Sequence, residues 1–123
     1  MLLGLGVDLM DVARMERQSR EGGFVEGLFT PREIAYCAAR HSPAQHFAAR
    51  FAAKEAFFKA LGVDGKRGLS WREVEVVNQE SGRPELTLHG ETLAAARKKG
   101  VKAVHLSLSH AGGMAIAQLI LES

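Results

Sequence analysis

Asp8, Glu55 and Lys59 are the residues whose types and setting point most directly to chemistry. Glu55 and Lys59 lie in the run Phe47 to Leu61, where the only charged residues are Arg50, Lys54, Glu55 and Lys59. Residues four apart on a helix are one turn apart and share a side. Taken alone, such a pair is an i,i+4 surface ion pair worth roughly a few tenths of a kcal/mol. The surrounding alanines argue otherwise, because a solvated face would carry more polar residues. Asp8 closes a strand face on which Gly4 and Gly6 leave room for close backbone approach. If the small-residue side of the long helix packs there, Asp8 and Glu55 converge. Two carboxylates make a hard-oxygen site suited to Mg²⁺, which takes one or two carboxylates and leaves the rest to water and phosphate. Lys59 would then contact a phosphate oxygen or a leaving group.

Other candidates are weaker on their own. The stretch Gly62 to Ser70 holds Gly62, Gly65 and Gly68 with Lys66 and Arg67. Such a loop can cradle phosphate through backbone N–H groups, though its spacing is not that of a Walker A loop. Ser109 and His110 open a glycine turn, where turn residue and anion contact are evenly matched readings. His41, His46 and His89 read as loop, helix and hairpin residues. His105 and His110 lack the partners and spacing of a zinc site. Cys37 reads as packed, and Trp71 as a core strand residue. Arg14, Arg17 and Arg20 lie opposite Val12 and Met15 on a first helix, as a solvated face or as a docking surface for an acidic protein.

The elements that must position these groups follow from pattern. Leu3, Leu5, Val7 and Leu9 alternate with Gly4, Gly6 and Asp8, which predicts a strand over Leu2 to Leu9. A helix follows from Asp11 to about Arg20. Thr30-Pro31-Arg32-Glu33 is a capping box that opens a helix to about Arg40, and Ser42-Pro43-Ala44-Gln45 carries the same signature for the longest helix. That helix runs to Leu61 and stops at Gly62. Trp71 to Asn78 and Leu86 to Leu88 predict a hairpin around Ser81 to Pro84, and Glu91 to Lys99 a helix ended by Gly100. Val104 to Ser109 and Met114 to Leu121 predict a closing hairpin around Ala111-Gly112-Gly113. The order predicts a single α+β domain over residues 1–123, with a largely antiparallel sheet packed on one long buried helix.

Composition bounds the function. The chain has 123 residues, 46% hydrophobic and 24% charged, with a net charge of +2. These values exclude disorder, and a charge this small gives no case for nucleic acid. No apolar run approaches the roughly 20 residues of a membrane span. The apolar opening has no basic flank and carries Asp8, so it does not read as a signal peptide. One cysteine allows no internal disulfide, which fits a cytoplasmic location. The long helix is apolar on nearly every side. The last strand has Met114, Ile116 and Ile120 on one face and Ala115, Ala117, Leu119 and Leu121 on the other. Both elements need cover in a small chain, which predicts self-association.

Several of these residues form a recognisable set. Gly6-Val7-Asp8-Leu9, Arg14 and the block from Phe47 to Ala56 with Arg50, Lys54 and Glu55 resemble the bacterial holo-[acyl-carrier-protein] synthases, the small phosphopantetheinyl transferases. The likeness continues through Lys59-Ala60-Leu61-Gly62, Trp71 to Val76, Gly82-Arg83-Pro84 and Ser107-Leu108-Ser109-His110. It implies transfer of the 4′-phosphopantetheine of coenzyme A to a serine of apo-acyl carrier protein, in fatty acid biosynthesis, releasing adenosine 3′,5′-bisphosphate. It implies Asp8 and Glu55 as Mg²⁺ ligands, Lys59 as a phosphate-contacting lysine and Arg14 as a carrier-docking arginine, with Arg17 beside it. It places Arg50, Ser109 and His110 near the phosphates of coenzyme A and Pro84 on the adenine side. Met10 stands where larger relatives have a third acidic ligand. The likeness also implies a homotrimer whose sites combine Asp8, Glu55 and Lys59 of one subunit with Arg50, Pro84 and His110 of the next. The general base stays open among Glu55, Asp8 through a water, and His110. A metal-dependent nuclease is the rival enzyme, but there Glu and Lys commonly stand two apart on a strand. A non-catalytic anion- or acidic-protein-binding module is the other rival.

Overall fold

A computed structural model describes residues 1–63 and 69–123. The elements are β1 (Leu2–Asp11), α1 (Val12–Ser19), α2 (Phe24–Leu28), α3 (Pro31–Ala38), α4 (Pro43–Leu61), a 3-10 turn (Trp71–Glu73), β2 (Val74–Asn78), β3 (Pro84–Leu88), α5 (Gly90–Lys98), β4 (Ala103–Ala111) and β5 (Met114–Glu122). The α+β class is as expected, but the strands form two antiparallel sheets rather than one. A three-stranded sheet runs β1-β5-β4, and β2-β3 is a separate hairpin.

The contact between β1 and α4 organises the molecule. A Cβ on Gly4 would collide with the carbonyl oxygen of Ala60, and one on Gly6 with that of Ala56. Only glycine lets strand and helix backbones come this close. Ala52, Ala53 and Ala56 are fully buried, and Ala115, Ala117, Leu119 and Leu121 of β5 pack into the same core. The long helix is therefore covered by its own chain, and the expectation that it needs a second copy is corrected. The uncovered surface is the other face of the sheet. There Leu5 is 65% exposed, Val7 54% and Leu9 57%, with Ile116 beside them.

Lys54 is fully buried, with its ammonium 2.7 Å from Glu33 Oε1 and donating to the carbonyls of Trp71 at 2.9 Å and Val74 at 2.5 Å. Burial pushes the lysine pKa down, and Glu33 opposes the shift. Glu33 also completes the α3 capping box with Thr30 and accepts from the Val76 N–H at 3.0 Å. One carboxylate thus ties α3, α4 and β2 together. Removing either partner of such a buried pair typically costs about 3–5 kcal/mol.

Further readings are corrected. Ser42 makes no side-chain cap, although α4 begins at Pro43 as expected. Trp71 lies half-buried in a 3-10 turn stacked on Phe51, not in a strand, and Pro84 begins β3 rather than ending a turn. β1 continues past Asp8 to Asp11, and Asp11 is the residue that caps α1, accepting from the Arg14 N–H. His89 follows β3, precedes α5 and pairs with Glu75 at 3.0 Å. Cys37 is packed as expected, and burial pushes its thiol up to about 11. Among the described residues no helix is long and apolar enough to cross a membrane.

Candidate active site

Asp8 sits on the glycine face of β1, two residues beyond Gly6, and so points towards α4. Lys59 leaves α4 and crosses to it: Nζ lies 2.7 Å from Asp8 Oδ1 and donates to the Val7 carbonyl at 3.2 Å. The Asp8 side chain is only 17% exposed, whereas that of Lys59 is 58% exposed. The carboxylate is therefore seated in the fold, with the ammonium over it facing outward. Glu55, half-buried, is one turn before Lys59 on the same helix. The close approach of Gly4 and Gly6 to α4 is what brings strand and helix charges together. Met10, the next residue on that strand face, is 6% exposed in the apolar core and offers no ligand.

These residues fit a magnesium ion better than a fully protein-caged metal. Among the described residues no group of three or more His, Cys, Asp and Glu side chains is placed to hold one. Mg²⁺ needs only one or two carboxylates and keeps several waters. Asp8 and Glu55 are the two carboxylates that would offer such a donor set.

A second cluster forms apart from the first. Arg50, Pro84, Ser109 and His110 line one cavity of about 260 Å³, together with His46 and Tyr36. Asp8, Glu55 and Lys59 are not among its lining residues. Arg50 is 2% exposed, and its Nη2 donates to Asn78 Oδ1 at 2.5 Å. Its Nε is buried with no hydrogen-bond partner among the described residues. A buried unsatisfied donor typically costs about 1–3 kcal/mol. Burial lowers the His46 pKa, and the charges of Arg50, Arg40 and His110 add to that shift. The positive groups around the cavity thus add to burial in disfavouring the charged form of His46.

Sequence reasoning placed His46 on the long helix, where it lies, but did not join it, Tyr36 or Asn78 to this cavity. His46 stands one turn before Arg50, so helical spacing could have found it; the others come from α3 and β2. Gly62 has φ +76 and donates its N–H to the Phe58 and Lys59 carbonyls, which makes it the stop of α4. Gly65 and Gly68, with Lys66 and Arg67, lie outside the described residues. Arg14 and Arg17 are exposed on α1, away from buried Met15. A larger cleft of about 650 Å³ between β3, α5 and β4 holds none of the predicted site residues.

This short α+β chain pairs a strand–helix carboxylate–lysine contact with a separate cavity that holds a buried arginine, groups whose chemistry suits a phosphate ester. The chain belongs to the 4′-phosphopantetheinyl transferase superfamily, whose profile matches residues 4–118. It is 46% identical over 124 aligned positions to the holo-[acyl-carrier-protein] synthase of Geotalea daltonii, with 99% of each chain covered. Its fold matches the crystal structure of the Neisseria meningitidis holo-[acyl-carrier-protein] synthase with a TM-score of 0.88, at 29% identity and full coverage of both chains. The Helicobacter pylori holo-[acyl-carrier-protein] synthase in complex with coenzyme A matches with a TM-score of 0.83 and 28% identity, covering 96% of this chain and 99% of that one.

Proposed function

We propose that this chain transfers the 4′-phosphopantetheine group of coenzyme A to a serine of apo-acyl carrier protein, giving the holo-carrier and adenosine 3′,5′-bisphosphate. The observation that carries the reading is the Asp8–Lys59 contact across the β1–α4 junction, within a chain that matches holo-[acyl-carrier-protein] synthases over almost its whole length. In the reaction the carrier's serine Oγ attacks the phosphorus that bears pantetheine. The bond from that phosphorus to the bridging oxygen breaks, and the nucleotide leaves with the oxygen. The nucleophile comes from the carrier, so no catalytic Ser or Cys is required in this chain.

Asp8 and Glu55 would hold Mg²⁺, which when bound neutralises pyrophosphate charge and orients the reacting groups. Lys59, fixed over Asp8, stabilises charge gathering on the phosphate oxygens. The serine proton passes to a water held by these carboxylates. Arg50, Ser109 and His110 bind phosphate, and Pro84 flanks the adenine. Arg14 and Arg17 face the carrier. The molecule works as a cytoplasmic homotrimer with its sites between subunits. The exposed row Leu5, Val7, Leu9 and Ile116 supports association through the open sheet face. The number three rests on the likeness to the small transferases.

Mass spectrometry of an apo-carrier incubated with the protein, coenzyme A and Mg²⁺ tests the reading. A gain of one phosphopantetheine is expected; no gain with any of several carriers overturns it. Asp8→Ala or Glu55→Ala should lower kcat by about 100-fold with an unchanged circular dichroism spectrum, and excess Mg²⁺ should recover part of the loss. Near-normal turnover of Glu55→Ala at low Mg²⁺ would return that residue to a surface role. Arg14→Glu should raise the carrier KM by about tenfold and leave the coenzyme A KM unchanged, and added salt should reduce activity. Equal changes in both KM values would remove α1 from carrier docking.

A further inference from the structure

The Arg50 cavity gathers more positive charge than its lining residues account for. Arg40, exposed just after α3, places its guanidinium carbon 4.3 Å from the centroid of the Tyr36 ring. Arg50, buried in α4, places its own at the same 4.3 Å. One aromatic ring therefore carries two guanidinium groups from different elements, and the edge of His46 approaches it at 5.9 Å. Arg40 Nε also donates to the Tyr36 carbonyl at 3.3 Å, which ties the exposed arginine down. Among the described residues no carboxylate lines the cavity. Two like charges held this close repel one another, and an aromatic face offsets only part of that. Two guanidinium groups on one ring beside a cavity with no carboxylate among its described lining residues suit a bound anion.

We propose that Tyr36 is a positioning residue whose ring, itself lining the cavity, holds Arg40 and Arg50 together beside it, making Arg40 a second binding residue for the phosphates of the nucleotide substrate. The inference rests on the coenzyme A reading of the site and adds two residues to it. Adenosine 3′,5′-bisphosphate carries phosphates at two positions of one ribose, which suits two cations arranged on one ring. Tyr36 acts through the arginines, so the ring matters and the hydroxyl does not.

Calorimetric titration of the protein with adenosine 3′,5′-bisphosphate tests this. Arg40→Gln, at an exposed position, should weaken binding about fivefold, and Tyr36→Leu about tenfold or more. Tyr36→Phe, which keeps the ring, should restore binding to within about twofold of the parent. The double variant Tyr36→Leu/Arg40→Gln should bind within about twofold of Tyr36→Leu alone, because Arg40 has lost its platform. Parent-like binding by Arg40→Gln, a Phe variant as weak as Leu, or multiplied losses in the double variant would each overturn the inference and leave the coenzyme A reading standing. Should Tyr36→Leu not fold, Arg40→Gln and Tyr36→Phe decide the matter. A parent protein that does not bind the bisphosphate overturns the reading of the cavity and this inference with it.

Discussion

Gly6→Ala should lower the melting temperature by roughly 5–15 °C and, even below that temperature, remove most of the activity. The added Cβ would meet the Ala56 carbonyl oxygen, a backbone atom that cannot rotate aside. The helix must then move off the strand, at about 1–3 kcal/mol for overpacking of this kind. Movement at that point also separates Lys59 from Asp8, which now touch at 2.7 Å. Misplacement by about 1 Å can cost about a hundredfold in rate. Gly27→Ala is the matched control, because a Cβ there meets nothing within 4 Å. Thermal melts and turnover of both variants check the expectation. A Gly6→Ala protein that melts and turns over like the Gly27→Ala control would show that the β1–α4 distance has no part in positioning the site.

Mixing Asp8→Ala and His110→Ala subunits should restore activity that neither variant has alone. On the trimeric reading proposed above, a complete site takes its Asp8 half from one subunit and its His110 half from the next. In a reassembled equal mixture, half the subunits carry each intact half. About one interface in four then pairs two intact halves, and about a quarter of the parent rate is expected. Native mass spectrometry would verify that subunits exchanged. A verified mixture no more active than its parents would place both halves in one chain and leave the open sheet face without a catalytic role.

How much was legible beforehand depended on where the determining contacts lie. The alternation of Leu3, Leu5, Val7 and Leu9 with Gly4, Gly6 and Asp8 is local, and it correctly predicted both the strand and the approach of the alanine side of α4. The Thr30–Glu33 box and the Gly112-Gly113 turn, both glycines with positive φ, are local too. By contrast, α2 begins at Gly23 with no side-chain cap and is held by distant contacts of Leu28, so no sequence signal marked it. Trp71 lies in a 3-10 turn because Ser70 caps it and Lys54 takes its carbonyl, an interaction 17 residues away in the chain. α5 lacked a visible cap because its cap is remote: the Glu73 carboxylate accepts from the Glu91 and Thr92 N–H groups. Glycine and alanine spacing pointed to Asp8 meeting the long helix at Glu55, whereas the contact the structure shows is with Lys59, one turn further on. No spacing pointed to the Tyr36–Arg50–Asn78 group, since it joins α3, α4 and β2 with no periodic signal between them.

The pairing of β1 with β5 sets an order on synthesis. In the sheet β1 is bonded only to β5, with Leu2 opposite Glu122 and Asp11 opposite Met114. Of these two strands, the one made earlier therefore waits for a partner about a hundred residues further along. Until Met114 to Glu122 emerge, Leu2 to Leu9 is an unpaired, largely apolar strand with nothing to register against. Local contacts in the helices and the β2–β3 hairpin can form earlier, but closing the sheet must bridge nearly the whole chain, which is a slow step. Exposed strand edges of this kind are where nascent chains stick to one another or to chaperones. A chain that stalls before β5 is thus an aggregation hazard rather than a partly folded enzyme.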